Sequence, residues 1–141
     1  MANHLTTKDV QALLATYCEW LSQNTVLTQC GEWVEVSVPF LDRHNDYVHF
    51  YVRQMGNNFI LTDEGATIAD LRQSGCELTS NKRKKLLQTI LNGLMIEEDH
   101  GQLKTTATLE TFARKQHDLI QAILAVNDLY YVSSASVQSC F

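Results

Sequence analysis

The sequence predicts an α+β domain: an antiparallel three-stranded meander packed by helices, in the order α-βββ-α-α-ββ-α. Three observations predict it. Residues 33–62 hold two runs that alternate inward apolar residues with others and a third short run at 59–62, separated by breaks rich in Asp, Asn and Gly. Segments of helical period flank this cluster instead of alternating with single strands, which argues against a parallel βαβ sheet. The chain has 141 residues, 45% of them hydrophobic, with one proline and six glycines, so a single domain over 1–141 is expected.

The first helix is expected over residues 7–22. Thr6 or Thr7 caps it, and Asp9 lies in the first turn, where a carboxylate suits the helix dipole. Val10, Leu13, Leu14, Tyr17, Cys18 and Leu21 follow helical spacing and predict a core-facing stripe. Residues 24–31 read as a connection. Residues 33–40 then form a strand with Val34, Val36 and Val38 on one face, and Pro39 ends its ladder or places it at an edge. Residues 47–54 form the second strand, with Val48, Phe50 and Val52 inward. Met55-Gly56-Asn57-Asn58 supplies hairpin chemistry before a third strand at 59–62.

Thr62 or Asp63 is placed to cap a short helix over residues 64–74, with Gly75 at its C-terminal stop. Ser80 opens the next helix, whose apolar side is Leu86, Leu87, Ile90, Leu91 and Leu94, ending near Gly93. Residues 95–98 and 102–106 flank Asp99-His100-Gly101 as a second hairpin. Thr108 is expected to cap the last helix, over 109–129, with Phe112, Leu119, Ile120, Ile123 and Leu124 as its buried stripe. The tail, 133–141, has no period and reads as frayed or strand-like.

The net charge is −5 and the pI about 5.4. That balance disfavours non-specific DNA binding, which needs a basic face, and suits a basic protein partner. Cys18, Cys30, Cys76 and Cys140 show no C-x-x-C spacing and read as reduced thiols of a cytoplasmic protein. The N-terminus lacks the basic and apolar regions of a signal peptide. No apolar run reaches the ~18 residues of a membrane span.

Four constellations carry chemistry. Asp42, Asp46, Asp63 and Glu64 form two acidic turns, and His44 and His49 lie beside the first. Carboxylates so grouped suit Mg²⁺ and phosphodiester cleavage. A helix followed by a meander also matches half of a restriction-endonuclease-like core, with Glu19 and Asp46 as analogous acids. The third strand lacks the accompanying lysine, however, and tight turns use the same residue types. Mg²⁺ is therefore expected only if the nuclease alternative holds; otherwise no cofactor is expected. Lys82, Arg83, Lys84 and Lys85 open a helix, where positive charge opposes the dipole, so phosphate contact is one reading and a solvated face the other. The helix, turn and hairpin that follow resemble a winged-helix fragment, though Glu97, Glu98 and Asp99 make its tip acidic. Trp33, Tyr47 and Tyr51, with Arg43 in the neighbouring turn, face away from the valines. They are either covered by a helix or used for binding. No G-x-S-x-G motif and no glycine-rich phosphate loop occurs.

The phrases PFLDRHNDYVHFYV, NFILTDEGATIADLRQSG, KRKKLLQTILNG and HDLIQAILAVNDLYYV resemble a small bacterial and prophage family, domain of unknown function 1828. The resemblance spans roughly residues 8–132 and implies a host-interaction or defence-related role, without catalytic residues to transfer. The leading expectation is a non-enzymatic phage or mobile-element protein that binds a host protein or complex, such as an inhibitor of bacterial defence. A metal-dependent nuclease-like domain and a nucleic-acid-binding regulator are the alternatives.

Overall fold

The computed structural model describes residues 3–132. Helix α1 runs Thr7–Gln23 and is followed by strands β1 (Val26–Cys30), β2 (Trp33–Leu41), β3 (Tyr47–Met55) and β4 (Asn58–Thr62). Helices α2 (Ala66–Gln73) and α3 (Asn81–Leu94) come next, then β5 (Glu97–Asp99), β6 (Gln102–Ala107) and α4 (Phe112–Asn127). The six strands form one antiparallel sheet in the order β1-β2-β3-β4-β6-β5. The α+β class stands, but the sheet is larger than the expected meander. The segment 24–31 is no mere connection, since β1 pairs along β2, and the second hairpin joins the same sheet through β6. The tail 133–141 and Cys140 lie outside the described residues.

Turn chemistry explains the hairpins. Gly31 and Gly56 sit at φ 64° and 62°, each the first residue of a two-residue turn. A β-carbon is strained in that left-handed conformation, so glycine is the natural choice. Pro39 does not end its strand. The β2–β3 register jumps from Val38↔Val48 to Leu41↔Tyr47, and this irregularity accommodates a residue that cannot donate to the ladder.

The valine face of the sheet carries the core. Val36, Val38, Val48, Phe50, Leu61 and Leu103 pack there against Ile68 and Leu71 of α2, Leu91 of α3, and Leu119, Ile123 and Val126 of α4. Burying each such side chain contributes about 1.5–3 kcal/mol. Phe112 meets Phe59 edge-on, with ring centroids 5.7 Å apart. Helix α4 begins three residues later than the spacing predicts. Thr108 and Thr111 close a separate turn first, each backbone N–H donating to the other's hydroxyl.

On the opposite face, cross-strand partners cover Trp33 and Tyr51, while Tyr47 stays exposed. The Arg53 guanidinium lies over Trp33, 5.1 Å from the ring centroid. Tyr51 donates its hydroxyl to Glu35 at 2.9 Å, and Thr62 donates to Gln102 at 2.9 Å.

Helix α1 departs most from expectation. Its span and its Thr6–Asp9 capping box are as predicted, yet none of its residues is buried. Leu13, Leu14, Tyr17 and Trp20 are half exposed, and every residue of β1 is exposed. The stripe that spacing assigned to the core therefore faces outward, and Cys18 with it.

Candidate functional site

The β2–β3 turn is built by Asp42. One of its carboxylate oxygens accepts the backbone N–H groups of His44 (2.8 Å) and Asp46 (3.1 Å). Its own N–H donates to the Asp46 carbonyl at 2.9 Å. Asn45 takes φ 61°, which its short side chain tolerates. Closed in this way, the turn directs Arg43 inward, and its side chain is only 7% exposed.

Asp70 of α2 receives that arginine. Arg43 donates to the Asp70 carboxylate at 2.8 Å and to the Ser74 hydroxyl at 2.6 Å, while its guanidinium covers the Tyr130 ring at 4.4 Å. The His44 ring nitrogen Nε2 lies 3.0 Å from the other carboxylate oxygen. Asn127 of α4 donates to Asp70 at 3.3 Å and accepts the Arg43 backbone N–H at 2.9 Å. One carboxylate thus ties the turn to two helices. The side-chain hydrogen bonds of Arg43 all leave through Nη2, and its charge strengthens each of them.

Between turn and helices lies a notch of about 230 Å³. Asp42, His44, Asp46, Tyr47, His49 and Asp70 give it its polar wall, and Val48, Ala66 and Ile123 its apolar part. The expected grouping is brought together only in part. Asp42, His44 and Asp46 meet here, with Asp46 and Tyr47 exposed at the surface, whereas Asp63 and Glu64 do not line the notch. Asp63 is 2% exposed, and its carboxylate accepts the backbone N–H groups of Gly65 (2.8 Å), Leu103 (2.9 Å) and Thr67 (3.0 Å). Gly65 holds the cap position of α2 without a side-chain bond of its own, and Asp63, two residues earlier, satisfies the Thr67 N–H of the first turn and clamps β6. Glu64 is exposed, with φ 56°. Glu19 is exposed on α1 and accepts from Gln23. Among the described residues, no group of three or more His, Cys, Asp or Glu side chains is placed to hold a metal ion.

The basic run divides. Lys82, Lys84 and Lys85 are exposed on the first turns of α3, while Arg83 donates to the Glu77 carbonyl at 2.8 Å. The β5–β6 hairpin is no free wing, because β6 pairs with β4 in the main sheet. At its tip, hydrogen bonds from Lys104 and then His100 hold the Asp99 carboxyl below the usual carboxylate range. Of the three sheet aromatics Trp33, Tyr47 and Tyr51, Tyr47 is the most open, while Trp33 and Tyr51 are half-buried. The hydrogen bond to Glu35 and partial burial push the Tyr51 hydroxyl up to about 12.

The sequence reading missed Asp70 and Asn127. Asp70 borders the buried stripe of α2, three residues past Thr67 and one before Leu71. Asn127 sits within the α4 stripe, four residues past Ile123. A polar residue in an apolar stripe needs a partner, and that was the available signal.

A family model, "Domain of unknown function DUF1828", matches residues 38–126. The chain belongs to that family. No curated protein and no solved structure matches it. Residues 42–70 of the notch lie inside the matched span, whereas α1 and β1 precede it.

Proposed function

We propose that this member of the DUF1828 family acts by binding a host protein or complex, as a phage or mobile-element protein that inhibits a bacterial defence system of the CRISPR or restriction type. The observation that carries the reading is the notch. It has side-chain dimensions, a wall tied together by Arg43, Asp70 and Asn127, and the exposed Asp46 and Tyr47 among its lining residues. A lining that offers both a carboxylate and an aromatic ring suits a lysine or arginine side chain from a partner. The acidic net charge adds long-range attraction to a basic, nucleic-acid-facing surface.

Capture from a bacterial lysate tests this. Wild-type protein should retain a defined partner that Asp46→Lys with Tyr47→Ala does not, and retention should weaken as salt rises to physiological strength. Asp42 is the wrong residue to reverse, because it holds the turn together. Absence of a partner, or one held equally by the variant, would falsify the reading. A second reading is supported by the exposed Lys82, Lys84 and Lys85 on α3, a regulator that contacts phosphates. Co-purification of DNA lost on changing those three lysines to glutamate would favour it. The nuclease reading draws less support, because Asp42 and Asp63 are engaged with backbone N–H groups. No cleavage is expected with Mg²⁺ or Mn²⁺; cleavage abolished by Asp46→Ala would reverse that order.

A further inference from the structure

Helix α1 is complete, yet none of its residues is buried against the other described residues. Thr6 and Asp9 cap its start reciprocally, and Asn24 and Thr25 side chains donate to the Trp20 and Leu21 carbonyls at its end. Helices of this length draw most of their stability in water from packing an apolar face. The face exists: Val10, Leu13, Leu14, Tyr17 and Trp20 lie along it, all exposed, and Tyr17 and Trp20 stack on each other. Strand β1 adds exposed apolar side chains at the sheet edge, Val26 (57% exposed) on one face and Leu27 (66% exposed) on the other.

We propose that α1 and β1 are a self-association surface whose occupant is a second copy of this chain. The two copies join about a two-fold axis, with β1 edge against β1 edge and the α1 stripes packed on each other. The proposal goes beyond the partner-binding reading and does not depend on the notch.

Three observations select a second copy over other occupants. The first is extent. Seven large apolar side chains of the helix and strand are between 38% and 66% exposed, a concentration of apolar surface of the kind that interfaces bury. The second is the contrast between the two edges of the sheet. Strand β5 is three residues long and wholly acidic (Glu97, Glu98, Asp99), the usual protection against edge pairing. Strand β1 is five residues long and carries no charge, no proline and no register shift. An edge left unprotected calls for a strand, and a two-fold mate presents the same unprotected edge in antiparallel sense. The third is charge. Between residues 7 and 30 only Lys8, Asp9 and Glu19 are charged. The surface therefore offers no electrostatic hold for a strongly basic or acidic partner, and few like charges oppose self-contact.

Sedimentation equilibrium of the full chain from ~1 to ~100 μM tests the proposal. The expected species has twice the 16.0 kDa chain mass and dissociates on dilution. Leu14→Glu with Tyr17→Glu should weaken association at least ~10-fold, as should Thr28→Lys, which places a charge on the edge and leaves α1 untouched. If circular dichroism shows that the helix variant has lost α1, the strand variant decides. A wild-type monomer throughout the range overturns the proposal, and so does a dimer indifferent to both variants. A monomer that binds phosphatidylcholine vesicles through the stripe also overturns it, and assigns the surface to lipid.

Discussion

Asp63 places a whole carboxylate inside the protein to satisfy three backbone N–H groups from two elements. Asp63→Ala would leave those donors buried and unpaired, so a loss of about 3 kcal/mol or more is expected in urea melts. A change under ~1 kcal/mol would mean that water replaces the carboxylate. Tyr51 makes a pH-dependent prediction. Its hydroxyl is raised above the unfolded value near 10 by the bond to Glu35. Its contribution is therefore complete below about pH 10 and is lost as pH rises through 12. Ultraviolet titration should show one late-titrating tyrosine that disappears in Tyr51→Phe and moves earlier in Glu35→Gln. At this scale the sequence was partly legible. Asp63 before a helix reads as a cap because capping is local. Asp70 and Asn127 did not read as partners of Arg43, because residues 43, 70 and 127 meet only after folding.

Helical period shows that a helix has an apolar face but not what covers it, and α1 illustrates the difference. On the spacing alone, Leu14→Ala would cost the ~2–5 kcal/mol of a buried leucine. With Leu14 51% exposed, the expected loss within one chain is ~0.5 kcal/mol or less, whereas Phe50→Ala, at 0% exposure, should cost about 3–5 kcal/mol. Chemical melts at low protein concentration compare the two directly. Reversed magnitudes would place α1 in the core. Strand β1 escaped notice for a related reason. VLTQC begins with adjacent apolar residues and has no buried face, so alternation is absent, and only Gly31 before Trp33 marked a hairpin. Elements with one clear face, such as β2, β3 and α3, were found within a residue or two.

Taken as a whole, the class α+β was legible because clustered strands and flanking helices exclude a parallel sheet. The position of β6 beside β4 was not, since no local pattern reports which strand a distant one will pair with. That arrangement bears on how the chain folds. The β1–β2, β2–β3, β3–β4 and β5–β6 ladders each join successive strands, while β4–β6 must close across α2, α3 and β5. Loop-closure entropy opposes that step until most of the meander exists. Val48 and Phe50 are thus expected in the transition state, and truncating them should slow refolding. Truncating Leu103 of β6 should instead accelerate unfolding, because its ladder zips up after the barrier. Stopped-flow chevrons of Val48→Ala and Leu103→Ala distinguish the two limbs, and a slowed refolding limb for Leu103→Ala would put the long-range ladder first.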